Sequence, residues 1–341
     1  MKTTREIADF IDGTLHGNPV TEIHTVGSLE RAGDGTLAYA EAKRLDRVSQ
    51  SGASCVLVPS DDFTGRTVIV VDNPRVAFAR VAQWLTPFQR PFDGVHPTAI
   101  VEETATLEAN VAIGAWTVIE HGARIGSSSV IFPGCYIGKA SCVGANCVIY
   151  PGVTLYPGVT LADRVVIHAG TVLGADGFGF VFDGSRHLKI PQIGHVAVEA
   201  DVEIGANACI DRGSLDETVV QEGTKIDNLC QIAHNVQIGT HAIISSQTGV
   251  AGSSRVGSHA MIGGQVGIAD YCRIDDHGQV GAQCGVPSRK RVPAGEIYWG
   301  TPARPLKQVK MQQAHLSRLP KMAEELKRLR EEVDALRAKL V

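Results

Sequence analysis

Residues 225–239 read KIDNLCQIAHNVQIG. Within them Ile226, Ile232 and Ile238 return every sixth position, and the small Cys230 and Val236 stand four residues after the first two of these. Moving outward, the phase runs unbroken from Val220 to Val292, with an aliphatic residue at every sixth place. Upstream it holds from Val101 to Leu173 and again at Val198, Ile204 and Ile210. The fourth position after each is mostly small or β-branched: Ala105, Val111, Thr117, Ala123, Ser129, Cys135, Ser141, Cys147. A six-residue repeat of this kind predicts a parallel β-helix, in which three hexapeptides close one triangular coil with the aliphatic residue inward. Coils stack about 4.8 Å apart through ordinary strand hydrogen bonds. Each buries its inward face only against its neighbours, so stability accumulates along a line. The repeat is long enough for roughly ten coils.

Two interruptions break the phase. Residues 174–195, GADGFGFVFDGSRHLKIPQIGH, are too many for a corner, and solenoids extrude such insertions. Phe178, Phe180 and Phe182 give that segment apolar surface, suited either to packing against the helix or to a flap over a cleft. The second interruption, within 211–219 (DRGSLDETV), shifts the phase by four residues just before the polar stretch.

Before the repeat, residues 1–94 predict a small α/β domain. TREIADFIDG has helical apolar spacing and stops at Gly13, and β-like runs follow at 36–40, 55–59 and 68–72. Helices are expected over 42–51 and 74–85, the latter opened by Asn73-Pro74 with proline in its first turn. The solenoid is expected over 95–300. Over 301–341, Leu319, Met322, Leu326, Leu329, Val333, Leu336 and Leu340 recur at spacings of three and four, a coiled-coil seam. Pro320 is expected to break or kink its start. This end is basic in an otherwise acidic chain of net charge −4.

Composition narrows the function. With 32 Lys+Arg against 36 Asp+Glu, no basic excess points to nucleic acid. The eight cysteines form no CxxC pair, and five of them (135, 147, 230, 272 and 284) fall at the small inward position, so they are expected as buried thiols. The amino terminus MKTTREIADF lacks the apolar run of a secretory signal, and no stretch has the ~18 apolar residues of a membrane span. A reducing cytoplasm is the expected compartment.

Coil spacing singles out one histidine. His234 lies two residues past the inward Ile232, at a corner, and the residue one coil later is Gly252. A glycine stacked on an imidazole leaves a notch where a ligand reaches both the ring and a backbone N–H. That pairing suits a general base beside an oxyanion donor. Asp227 and Asn228, one hexapeptide earlier, are expected at the adjoining edge, and Asp270 with Tyr271 two coils on. His121, His241, His259 and His277 also occupy corners, where a lone histidine is ordinarily just solvated. Zinc needs three convergent ligands, and His234 and His241 fall on different faces, so neither metal nor cofactor is expected.

GADGFGF at 174–180, KIPQIGHV at 189–196, IDRG at 210–213 and KIDNLCQIAHNVQIG at 225–239 together resemble the UDP-3-O-(3-hydroxyacyl)glucosamine N-acyltransferases of lipid A biosynthesis, over nearly the whole chain. The resemblance implies a uridine-nucleotide-binding domain over 1–94, a left-handed β-helix over 95–300 and oligomerising helices over 301–341, assembled as a homotrimer. It implies that His234 takes a proton from the glucosamine 2-amine as that amine attacks a 3-hydroxyacyl thioester on acyl carrier protein. Gly252 would supply the oxyanion N–H, while Asp227 and Asn228 orient imidazole and substrate. Tyr39, Asp176, Phe178 and Tyr271 fall to substrate binding, and Arg289, Lys290 and Arg291 to docking the acidic carrier protein. Relatives carry a second histidine in a Gly-His pair where this chain has Asp270-Tyr271, and its uridine segment reads Ala38-Tyr39-Ala40, then Ala42 and Leu45. Two other functions remain open on the sequence. One is O-acylation of UDP-N-acetylglucosamine on the same helix; the other is a non-catalytic trimeric sugar-nucleotide-binding scaffold.

Overall fold

The structure, a computed structural model, describes residues 1–60 and 65–338. It divides into two units, Met1–Arg90 and Pro91–Val341.

The first unit is a five-stranded sheet in the spatial order Thr14–His16, Val68–Val70, Cys55–Val58, Thr36–Tyr39, Thr25–Val26. Helices Thr4–Phe10 and Pro74–Leu85 supply Ile7, Ala8, Ala77 and Val81 to its core. Thr3 and Glu6 form a reciprocal capping box on the first helix, and Asn73 Oδ1 accepts from Val76 N on the second. Residues 42–50, expected as α-helix, form 3₁₀ turns instead. Val48 is the one side chain that segment buries, too little apolar surface to hold a regular α-helix.

In the second unit nearly every hexapeptide contributes a two-residue strand, and the strands stack into three faces of 10, 12 and 10. The product is a left-handed parallel β-helix. Pairing begins at Gly94–Val95 against Ala112–Ile113. The 18-residue register is plain around the polar stretch, where Ile226 pairs with Ile244, Ile232 with Val250 and Ile238 with Val256. At the two interruptions the register lengthens: Leu161 pairs with Val198, and Val198 with Val220. The first insertion leaves the solenoid as an antiparallel hairpin, Phe180–Phe182 against His187–Lys189.

Inward aliphatic residues such as Ile149, Ile232 and Ile262 are fully buried. Each contributes about 1.5–3 kcal/mol by leaving water. The small inward residues do a second job, donating to a carbonyl on the following coil, as Ser129 Oγ does to Gly144 O at 2.7 Å and Cys147 Sγ to Ala162 O at 3.1 Å. Burial pushes the Cys135 and Cys147 thiols up to about 11. Corners turn through left-handed residues, among them Asn146, Asn207 and Asn235, a residue type that tolerates positive φ.

The outward residue of each strand gives every face its own character toward the carboxyl end. One face carries Gln231, Gly249, Gly267 and Gly285 in register, the next Gln237, Arg255, Arg273 and Arg291, and the third Ile243, Met261, Gln279 and Ile297. Helices Leu306–Leu316 and Leu319–Ala338 follow, with Pro320 accommodated in the second helix's first turn. Leu319, Met322, Leu326, Leu329, Val333 and Leu336 remain about half exposed, while the last seam position, Leu340, lies outside the described residues. Among the described residues no helix is long and apolar enough to cross a membrane.

Candidate active site

The glycine face carries the site. Gly249, Gly267 and Gly285 stack directly, two coil steps spanning about 10 Å, and leave a trench of about 1090 Å³. Ala233, Ala251 and Ala269 border its floor, so no side chain longer than a methyl intrudes along that line. A Cβ added at Gly249 or Gly267 would meet nothing within 4 Å, whereas one at Gly285 would lie 3.0 Å from Thr301 Cγ2. The trench therefore ends against Thr301 and Pro302. Asp176, Phe178, Phe180 and Lys189 of the hairpin segment form its wall. Phe178 is 86% exposed, apolar surface offered to the trench rather than to the protein's own core.

His234 follows Ala233 and Gly252 follows Ala251, both of the trench lining, which puts the pair at the head of the trench. The His234 ring fills the space beside the bare backbone of Gly252: a Cβ there would sit 2.6 Å from Nε2 and 2.5 Å from Cε1. Among the described residues the Gly252 N–H makes no hydrogen bond, so a donor is free beside the imidazole. On the other side, Gly177 presses on His234, where a Cβ would come within 2.6 Å of His234 Cβ. The expected corner is thus half-buried rather than open, because the hairpin folds back over it.

Nδ1 of His234 faces Asn235 Oδ1 at 3.2 Å and Ser214 Oγ at 3.3 Å. Asp211 lies close enough for its charge to interact with the imidazole, and it accepts from Gln231 Nε2 at 3.0 Å. Burial holds the Asp211 carboxyl above the usual range, against the pull of the Gln231 hydrogen bond and of His234. Arg212 ties the base of the hairpin down, Nε to Gly174 O at 2.7 Å and Nη2 to Pro157 O at 3.1 Å. Lys189 Nζ pairs with Asp176 within the wall.

Of the residues singled out from the sequence, His234, Gly252, Asp176 and Phe178 gather around the trench. Asp227 and Asn228 occupy the neighbouring corner, because a hexapeptide spans one whole face. There Asn228 Oδ1 accepts from Ala206 N and Asp227 Oδ2 from Ser246 N, bracing consecutive coils. Tyr271 lies one coil beyond Gly252, its N–H on Gly252 O at 3.2 Å and its ring 59% exposed. The Arg289 guanidinium lies 5.7 Å from that ring's centre. Lys290 Nζ approaches the Tyr298 ring, and Arg291 is held by Asp275 at 2.6 Å. Tyr39 ends a strand of the first unit, its ring 4.8 Å from that of Phe78.

No role follows from the sequence for Gln192, Asp211, Arg212 or Ser214, which lie in or beside the insertions, where the hexapeptide spacing does not place them. The glycine column was within reach. Read at 18-residue spacing like the aliphatic positions, the outward places give Gln231, Gly249, Gly267 and Gly285 directly.

A histidine and a free backbone N–H at the head of an apolar trench, on a hexapeptide solenoid, define a hexapeptide-repeat acyltransferase. The bacterial transferase hexapeptide family matches residues 143–175 and 217–252, and the family described as UDP-3-O-(3-hydroxymyristoyl) glucosamine N-acyltransferase, LpxD, matches residues 21–84. A UDP-3-O-acylglucosamine N-acyltransferase of Coxiella burnetii is 42% identical over 254 residues, 73% of this chain and 74% of its own length. One from Porphyromonas gingivalis is 45% identical over 258 residues, 74% of each. The chain belongs to the UDP-3-O-acylglucosamine N-acyltransferase family, which makes it an acyltransferase of lipid A synthesis. A solved Arabidopsis UDP-N-acetylglucosamine acyltransferase superposes with a TM-score of 0.54 at 21% identity, over 64% of this chain and 76% of that one, a likeness of fold.

Proposed function

We propose that the chain transfers a 3-hydroxyacyl group from acyl carrier protein to the 2-amine of UDP-3-O-(3-hydroxyacyl)glucosamine, with His234 as general base. The amine nitrogen attacks the thioester carbonyl while His234 Nε2 takes its proton. The oxyanion of the tetrahedral intermediate is met by the Gly252 N–H. When the C–S bond breaks, the imidazolium returns the proton to the leaving sulfur, closing the cycle with an amide and a free thiol. Asp211 offsets the imidazolium charge in between. The acyl chain lies along the glycine trench, whose apolar floor exchanges hydrocarbon–water contact for packing.

The observation that carries this is the ring of His234 set against Gly252 at the head of the trench. Asp176, Phe178 and Tyr271 are assigned to the substrate around the trench, and Tyr39 to the uracil in the amino-terminal unit. The half-exposed seam of Leu319–Ala338 supports assembly as a homotrimer. The carrier protein is acidic, which suits the basic run Arg289, Lys290 and Arg291, of which Arg289 lies beside Tyr271. Unpaired thiols, most of them buried, fit a reducing cytoplasm.

The test is turnover by His234→Ala with UDP-3-O-acylglucosamine and UDP-N-acetylglucosamine offered separately. Loss of a general base is expected to lower kcat by roughly 10²- to 10⁴-fold with the amine acceptor. Wild-type rates in the variant exclude His234 as the base, and preference for the hydroxyl acceptor excludes N-acylation.

A further inference from the structure

The hairpin segment that walls the trench also reaches the base from behind. Gln192 is only 6% exposed, and both ends of its amide are engaged. Its Nε2 donates to Ile190 O at 3.0 Å. A carbonyl can only accept, so this bond fixes which end of the amide is nitrogen and leaves Oε1 pointing at Ser214. Ser214 Oγ donates its single proton to that Oε1 at 2.9 Å. The hydroxyl then has only lone pairs to present to His234 Nδ1, 3.3 Å away.

A second acceptor converges on the same nitrogen. Asn235 Oδ1 receives the Ser214 backbone N–H at 3.0 Å, which settles that amide's orientation, and it lies 3.2 Å from Nδ1. Two acceptors and no donor face Nδ1, so Nδ1 carries the proton and Nε2 keeps its lone pair. Nε2 is the atom beside Gly252.

We propose that Gln192 is a positioning residue that sets the tautomer of His234 through Ser214. This rests on His234 being the base. Without the Gln192 acceptor, the Ser214 proton is free to turn onto Nδ1, and the imidazole then carries its own proton on Nε2, where it cannot accept one from the amine. A residue of the first insertion, acting through a residue of the second, thereby decides whether the corner histidine is competent. That gives the two interruptions of the repeat a shared purpose beyond enclosing the acyl chain.

The experiment is ¹⁵N spectroscopy of the full-length protein labelled at histidine, with the His234 signals assigned by their loss in His234→Gln. The wild type is expected to show a protonated Nδ1 and a bare Nε2. Gln192→Leu is expected to move Nδ1 toward the bare position and lower kcat about tenfold or more, with KM little changed. Gln192→Glu keeps an acceptor and is expected to keep the wild-type pattern. The double variant Gln192→Leu/Ser214→Ala, which removes the misdirected donor as well, is expected to restore the protonated Nδ1. Simple loss of packing would not produce that rescue. A wild-type pattern in Gln192→Leu, or no rescue in the double variant, overturns the proposal. A swapped tautomer with undiminished kcat upholds the link from Gln192 and refutes His234 as the base.

Discussion

A side chain of even one carbon on Gly252 would occupy the space of the His234 ring, 2.5 Å from Cε1 and 2.6 Å from Nε2. Imidazole and backbone are thus in direct contact across two successive coils. The relationship depends on register, because Ile232 pairs with Val250 and the corners that follow those strands fall one above the other. Gly252→Ala is expected to push the ring aside. A displacement of about 1 Å at the reacting groups costs roughly a hundredfold in rate. Gly252 is outside the left-handed region that makes other corner glycines hard to replace, so the fold is expected to survive. Steady-state kinetics together with a melting curve check this, the expectation being a large fall in kcat at a nearly unchanged Tm.

The trench makes the opposite kind of prediction. At Gly267 an added Cβ meets open space, so a longer side chain can be housed without disturbing a neighbour. Gly267→Met is expected to fill the middle of the trench. Donors of graded chain length would then separate: short acyl groups are expected to turn over at near wild-type rates while long ones lose affinity. One methylene withheld from burial costs about 0.8 kcal/mol, or a few-fold in kcat/KM, so the cutoff is expected to steepen with each added carbon. An unchanged chain-length profile would place the acyl chain elsewhere.

The arginine face offers a stability test remote from the chemistry. Asp275 is nearly buried between Arg273 and Arg291, with bonds of 2.7 Å to Nε of each. The Arg291 hydrogen bond above all holds its carboxyl below the usual range. A depressed carboxylate adds stability above its unfolded pKa, near 3.9, and loses it as pH falls through the folded value. Asp275→Asn is therefore expected to lower Tm at pH 7, and the two melting curves are expected to converge on acidification below about pH 4. A difference that persists undiminished in acid would assign the effect to packing instead.

How much of this the sequence disclosed follows from which interactions are periodic. Ile226, Ile232 and Ile238 announce the solenoid because each coil repeats the same burial, and the stacking of Gly252 on His234 follows from the same 18-residue step. Asp227 and Asn228 fall at the neighbouring corner for a related reason. Adjacency along the chain moves a residue to the next corner, while adjacency across coils keeps it at the same one. Ser214 and Gln192 were out of reach altogether. They belong to segments whose conformation is set by contacts with the hairpin and with Asn235, and no regular spacing encodes those.

Asp211 is where stability and catalysis are expected to part. Burial raises its carboxyl above the ordinary range, so the charged form is disfavoured in the folded state. A carboxyl with a raised folded pKa supports the fold fully below its unfolded pKa, about 3.9, and that support is lost as pH rises through the folded value. Above the unfolded pKa the native protein therefore bears a cost for burying this carboxyl. Asp211→Asn removes that charge yet keeps an oxygen for Gln231 Nε2, so its Tm is expected to exceed the wild-type value at pH 7, with the advantage vanishing in acid. Its kcat is expected to fall all the same, because the imidazolium formed at His234 loses the carboxylate that attracts it. Functional sites commonly carry such a trade. Melting temperatures across the pH range, set beside kcat at pH 7, decide the matter: a variant that is both less stable and fully active would mean that Asp211 serves the fold and not the reaction.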